Sequence, residues 1–273
     1  MPQNAKQLKQ RIRSVDSTMH ITKAMELVAS SKLRRATENM ESSRPYFASL
    51  TEAIAQLSAA ESVFTKKSEN ARPCYIVIAG DRGLAGGYNN NIYKLMKAET
   101  DGKGAYLVTI GKRIADYAAR RGYDVLKSYP STENISLSDC AALGEELRNM
   151  FSKGEIDGVY VIFTKYISML SQQPTVKKLL PLDECEKPKG FTLFEPSAEA
   201  VLAAVIPEYL SGMTYGAVCE SFASELSARR TAMDSASKNA AEMIDALGLR
   251  YNRARQSAIT QEITEIIGGS VTS

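Results

Sequence analysis

An apolar seam opens the chain. From Leu8 it advances in alternating steps of four and three through Ile12, Val15, Met19, Thr22, Glu26, Ala29, Leu33, Ala36, Met40, Ser43, Phe47, Leu50 and Ile54 to Leu57, and only Thr22, Glu26 and Ser43 are not apolar. That spacing keeps one stripe of a helix turned toward a partner helix. At ~1.5 Å per residue a helix of about fifty residues is roughly 75 Å long, several times the ~11–12 residues usual in globular domains. Such a helix cannot bury its own stripe and requires a second long helix or another chain.

The far end of the chain offers one. A second seam runs through Phe222, Leu226, Arg229, Met233, Ala236, Ala240, Ile244, Leu247, Tyr251, Ala254 and Ala258, and the consecutive steps of four around Ala240 form a stutter that unwinds a supercoil locally. Pro207 suits a first helical turn, where its missing N–H has no partner, so this helix is expected to start there. Gly268 and Gly269 are expected to end it in a left-handed residue. In the first helix Pro45 removes one backbone hydrogen bond, which predicts a kink near Ser43 or an early stop. Similar length and terminal placement make the two helices each other's natural partner.

Between them the period changes. Short apolar runs at 74–79, 105–110, 123–129 and 158–166 alternate with helical patterns from 88 through Lys97, at 112–121 and at 138–153. That alternation predicts βαβ units and a mainly parallel, Rossmann-like sheet. A further strand at 175–180 follows a connection short enough to force an antiparallel return. The fold class is therefore α/β, a small domain inserted between two long terminal helices. The expected segments are 1–60, 72–195 and 207–268, separated by charged, Pro-, Ser- or Gly-rich stretches near 61–72 and 183–196.

Composition then narrows the chemistry. The chain has 273 residues, with 44% hydrophobic and 24% charged, ordinary for a globular protein. No apolar run approaches the ~20 residues that span a bilayer, and the polar start carries no secretory or transit pattern. Cys74, Cys140, Cys185 and Cys219 lack metal or disulfide spacing and read as small apolar fillers in a reducing compartment. His20 is the only histidine and falls on the polar side of the first helix, which leaves no histidine-based triad or zinc set.

Two other function classes are carried by particular residues. The loop Gly80-Asp81-Arg82-Gly83-Leu84-Ala85-Gly86-Gly87 follows a strand and precedes a helix, where backbone N–H groups can meet phosphate, and Asp101 stands at the distance of a ribose acid. Its G-x-x-G-x-x-G spacing differs from the dinucleotide G-x-G-x-x-G, and no Gly-Lys-Ser/Thr follows, so a tight turn with close strand-to-helix packing is the simpler reading. Through Arg44 the first helix carries Lys6, Lys9, Arg11, Arg13, Lys23, Lys32, Arg34, Arg35 and Arg44 against Asp16, Glu26, Glu38 and Glu41. A basic helix suits nucleic acid, an anionic membrane or an acidic protein cavity. The absence of interleaved exposed aromatics and a net charge of only +3 favour the protein cavity.

Four motifs in order carry a family resemblance. Ile21-Thr22-Lys23-Ala24-Met25-Glu26-Leu27-Val28-Ala29-Ser30-Ser31-Lys32-Leu33-Arg34-Arg35-Ala36 resembles the N-terminal helix of the γ subunits of F-type ATP synthases of bacterial type. Asp81-Arg82-Gly83-Leu84-Ala85-Gly86-Gly87-Tyr88-Asn89 is similar to the central-domain loop of that family. Glu225-Leu226-Ser227-Ala228-Arg229-Arg230-Thr231-Ala232-Met233 resembles its C-terminal helix. Tyr251-Asn252-Arg253-Ala254-Arg255-Gln256-Ser257-Ala258-Ile259-Thr260-Gln261-Glu262-Ile263-Thr264-Glu265-Ile266-Ile267 resembles its terminal signature. Ala85 stands where the family often has Cys, Leu27 where it has Met and Ser270 where it has Ala, changes that a packed site tolerates.

The resemblance implies a rotor shaft. Its two terminal helices would wind into an antiparallel, left-handed coiled coil inside a ring of α and β subunits, with the α/β domain near the ε subunit and the membrane c-ring. Ion flow would turn ring and shaft together, and shaft orientation would bias each β subunit through its conformations. It implies no catalytic residue, cofactor, metal or thiol regulation in this chain, no nucleic-acid partner, and a peripheral place on the cytoplasmic face of the cell membrane. Carried over residue by residue, Met25, Arg229, Arg255, Gln256, Thr260 and Glu262 would contact β subunits, and Phe194 and Glu195 would approach the c-ring and ε. Thr22 and Glu26, which break the seam beside Met25, would then mark a working surface.

Overall fold

A computed structural model describes residues 3–58, 62–66, 72–183 and 194–271. Half of the linker expected near 61–72, most of that near 183–196, and Cys185 fall outside them. The element order is α1 (Gln3–Leu57), a 3-10 turn (Val63–Thr65), β1 (Arg72–Ile78), α2 (Tyr88–Thr100), β2 (Tyr106–Ile110), α3 (Lys112–Arg121), β3 (Asp124–Tyr129), α4 (Leu137–Ser152), β4 (Ile156–Tyr166), β5 (Gln172–Leu180) and α5 (Ala198–Val271). The described chain packs as two units, one of residues 1–29 with 230–273 and one of residues 30–229.

The larger unit is a three-layer sandwich. Its sheet has strand order β3-β2-β1-β4-β5. β1, β2, β3 and β4 are parallel, and β5 returns antiparallel beside β4, as the short connection requires. Alternation along β1 sends Cys74, Ile76 and Ile78 to one face and Tyr75, Val77 and Ala79 to the other. The first face is covered by Leu143, Leu147 and Phe151 of α4, by Leu202, Ile206 and Leu210 of α5, and by Ile54 and Leu57 of α1. The second is covered by Ile92 and Met96 of α2 and Ile114 and Ala118 of α3. Buried on both faces, β1, β2 and β4 are largely apolar and read as runs and not as alternations, whereas the edge strands β3 and β5 are more polar and more exposed.

Within this unit α1 and α5 run antiparallel. A Cβ on Gly212 would come to 2.8 Å of Leu50 and one on Gly216 to 2.9 Å of Phe47, while Leu33, Ala36 and Met40 pack with Ala223 and Leu226. Both seams hold along their whole described length. Every seam position of α1 from Leu8 to Leu57, and of α5 from Phe222 to Ala258, is buried or half-buried.

The structure corrects three expectations. α5 begins at Ala198, where the Ser197 hydroxyl accepts the Ala200 N–H at 3.1 Å, so Pro207 lies inside the helix instead of in its first turn. Burial of Leu202, Ile206, Tyr209 and Leu210 around it offsets the lost backbone bond. α1 likewise continues through Pro45 to Leu57, so of the two outcomes expected there the early stop does not occur. At the other end α5 passes through Gly268 and Gly269 to Val271, since glycine permits a left-handed stop without imposing one. Without contradicting the expected lack of a membrane span, an 18-residue window of α5 reaches mean hydropathy 1.2, enough by length and composition alone to cross a membrane. Half of that window is buried inside the chain, the pattern of a core helix.

Candidate functional site

The C-terminal ends of β1 and β4 form the crevice where open α/β sheets bind ligands, because β1 has β2 on one side and β4 on the other. Here the crevice is filled by α5. Ser221 Oγ accepts the Thr164 N–H at 3.1 Å, and Ser224 Oγ donates to the Thr164 carbonyl at 3.1 Å, so both backbone groups of one β4 residue are held by one helix face. One turn on, Ser227 Oγ donates to the Met169 carbonyl at 2.6 Å and accepts from Gln172 Nε2 at 3.3 Å. Tyr88, at the start of α2, is buried and donates its hydroxyl to the Ser221 carbonyl at 3.0 Å, and burial raises its pKa.

Glu225 completes the joint. Its side chain is 3% exposed and pairs with Arg229 at 2.5 Å, while the Arg229 guanidinium also donates to the carbonyls of Arg82 and Gly83 at 3.5 and 3.3 Å. The carboxylate lies so close to Gly80 that a Cβ there would sit 2.7 Å from its Cδ, which explains a glycine at the end of β1. Burial pushes the Glu225 pKa above the ordinary carboxylate value, the Arg229 charge works against that, and nearby Asp81 adds to it.

The loop itself is closed on its own chain. The Gly80 N–H donates to Asn89 Oδ1 at 2.9 Å, and Asn89 Nδ2 returns a bond to the Arg82 carbonyl at 3.2 Å. Asp81 accepts from Ser131 Oγ at 2.8 Å and from the Thr132 N–H at 2.9 Å. A phosphate over this loop would have to displace α5 and face the carboxylates of Asp81 and Glu225. The geometry therefore supports the turn-and-packing reading over nucleotide binding. Among the described residues no group of three or more His, Cys, Asp or Glu side chains gathers to hold a metal.

In the smaller unit the polar interruptions of the seam have structural partners. Thr22 Oγ1 meets Ser237 Oγ at 2.7 Å and donates to the Met19 carbonyl at 3.0 Å. Glu26 pairs with Lys23 at 2.7 Å along α1, and Asp234 pairs with Lys238 at 2.7 Å one turn apart along α5. The Asp234 carboxyl is held below its ordinary pKa, first by its hydrogen bond to Lys238 and also by the charge of Lys23.

Of the residues that the resemblance marks for β contacts, Met25 is half-buried and Arg255, Gln256 and Thr260 are exposed. Thr260 Oγ1 donates to the Gln256 carbonyl at 3.0 Å, and Gln256 and Thr260 share a shallow polar surface with Arg253, Ser257 and Thr264. The Glu262 side chain lies outside what is described. Arg229 belongs to the polar joint above. Phe194 packs on the chain's own apolar core, and Glu195 is exposed. Sequence reasoning missed Ser221, Ser224, Ser227 and Glu225, although their spacing of three and four places them on one helix face.

A family model described as ATP synthase matches residues 4–272. The chain is 45% identical over 280 residues to an ATP synthase gamma chain of Ruminococcus albus, covering 98% of each. It is 41% identical over 298 residues to a chain of Acetobacterium woodii named ATP synthase gamma chain, sodium ion specific, covering 99% of each. Among solved structures, a chain of the Euglena gracilis mitochondrial ATP synthase, in the OSCP/F1/c-ring assembly at rotational state 3, superposes with a TM-score of 0.76. That match spans 98% of this chain and 94% of the other at 17% identity, and shows a shared fold.

Proposed function

The chain belongs to the ATP synthase family as a γ chain, and on that premise we propose that it is the central rotor shaft, a non-catalytic subunit that turns inside a ring of α and β subunits. The observation that carries this reading is the surface of the smaller unit. With both seams filled, it still exposes Ile21, Leu27, Val28, Leu249, Ile259 and Ile263, a number of large apolar side chains that implies enclosing partners. In this reading the shaft comprises 1–60 with 207–268, and 72–195 is the domain that meets ε and the c-ring on the cytoplasmic face of the membrane.

The chain makes and breaks no bonds. Torque entering the α/β domain reaches α5 through the joint at Ser221, Ser224, Glu225 and Arg229, where paired groups resist slip. The orientation of the helices then biases the conformation of each surrounding β subunit, and allostery proceeds by rigid-body rotation. Met25, Arg255, Gln256, Thr260 and Glu262 are the proposed β contacts. Arg229 contributes from the joint, where it orients the glycine loop, and Phe194 and Glu195 lie on the side proposed to meet the c-ring and ε.

Co-expressed with α and β subunits, the chain is expected to co-purify with them and to support ATP turnover by the complex, while the purified chain alone hydrolyses no ATP. Turnover by the chain alone, abolished by substitution of Asp81, would overturn this reading in favour of a nucleotide enzyme.

A further inference from the structure

A cavity of about 350 Å³ opens between α1, the β4–β5 hairpin and α5 in the larger unit. Its walls are apolar, with Phe47 from α1, Val161 and Phe163 from β4 and Met213 from α5. The pairings Val161↔Lys177 and Phe163↔Thr175 show that these residues share one face of the hairpin, with Lys165 next along β4. Three cations line the cavity. Arg44 and Lys165 are exposed and Lys177 is half-buried, and among the described residues none of the three makes an ion pair. Glu220 lines the same cavity, and its Oε2 is sealed from solvent and has no hydrogen-bond partner.

An unpartnered buried acceptor beside under-neutralised cations on an apolar wall is the composition of a small-molecule site. We propose that this cavity binds a medium-chain carboxylate bearing a hydrogen-bond donor close to its carboxylate. The carboxylate pairs with Lys177 and Lys165. The donor satisfies Glu220 Oε2, and the hydrocarbon lies along Phe47, Phe163 and Met213. Burial lowers the Lys177 pKa and the Glu220 charge opposes that shift, in keeping with a cation lacking its full counter-charge. A ligand held here touches α1, α5 and the sheet at once, and so stiffens the larger unit by binding its folded form.

The probes are 3-hydroxydecanoate, decanoate and 1-decanol, titrated below micelle formation against the full-length chain by calorimetry, with thermal melting in parallel. The expected order is 3-hydroxydecanoate tightest, with a Kd on the order of 1 mM or below, decanoate several-fold weaker, and no saturable binding of decanol. Lys177→Met is expected to weaken both acids about tenfold, the loss of one charge-assisted pair. Glu220→Met is expected to erase the preference for the hydroxy acid while leaving decanoate binding at least as tight. Circular dichroism checks the folding of each variant, and Lys165→Met repeats the charge test at an exposed site. Absence of saturable binding, equal binding of decanol, or a hydroxyl preference that survives Glu220→Met would each overturn the proposal.

Discussion

Replacing Gly111 with alanine is expected to destabilise the larger unit by more than about 4 kcal/mol, the range reserved for backbone collisions and buried defects. Gly111 joins β2 to α3 at φ +105°, and a Cβ there would fall 2.0 Å from the Ala79 carbonyl oxygen and 2.9 Å from its carbon. Both colliding atoms are backbone, and the neighbouring strands fix them. The Gly111 N–H donates to the Tyr129 carbonyl at 2.8 Å, and the Ala79 N–H donates to the Ile110 carbonyl at 3.0 Å. Relief therefore requires separating β1, β2 and β3 at their C-terminal ends, beside the glycine loop. Gly122 is the internal control, with φ +71° and nothing within 4 Å of an added Cβ. There alanine is expected to cost only about 1–2 kcal/mol, the intrinsic price of a left-handed residue. Urea unfolding of the two variants separates the cases, and equal losses would show that the Gly111 collision is absorbed by small shifts.

The second large effect is expected at Glu225. Glu225→Leu strands Arg229 without its counter-charge in a largely buried place, and breaking a buried pair costs about 3–5 kcal/mol. Glu225→Gln keeps an acceptor for the guanidinium and removes a charge that burial disfavours, so a change within about 1 kcal/mol is expected. The pH dependence gives the sign. Because the folded-state pKa is raised, the folded chain holds this proton more tightly than the unfolded chain. The stability that the group contributes is complete below its ordinary pKa and is lost as pH climbs through the raised value. The melting temperature of the Gln variant relative to wild type should therefore increase as pH rises above the usual carboxylate range. A difference that is flat with pH would mean that Glu225 titrates normally and that the joint is not desolvated.

These residues show what could be read from the chain and what could not. The two seams were legible because large apolar residues recur at helical spacing, and the strands because β1, β2 and β4 are buried on both faces and so continuously apolar. The joint was hidden for the same reason. Ser221, Ser224 and Ser227 are buried by tertiary contact with Thr164 and Met169, and small polar residues leave no trace in a hydrophobic pattern. Glu225 stands one step from the seam residue Leu226, and only its approach to Gly80 reveals it as core. Pro207 meets the local rule for a helix start, but the buried apolar anchors on either side, Leu202 and Leu210, carry the helix through it.

The polar seam positions have partners within the chain itself. Thr22 and Glu26 interrupt an apolar stripe, and an interruption next to Met25 suggested a surface for a moving partner. In the folded unit Thr22 bonds Ser237 of the other helix and Glu26 pairs with Lys23 one turn back on its own helix, contacts that are compatible with a working surface beside Met25.

The central claim is that this chain turns. Its most direct test is single-molecule observation of the α–β–γ complex fixed by its β subunits, with a bead attached through a cysteine placed at exposed Ser152, the end of α4. With ATP the bead is expected to rotate in one direction at a rate that follows hydrolysis, and Glu225→Leu should reduce rotation per ATP hydrolysed. A bead that stays still while the complex hydrolyses ATP would contradict the account.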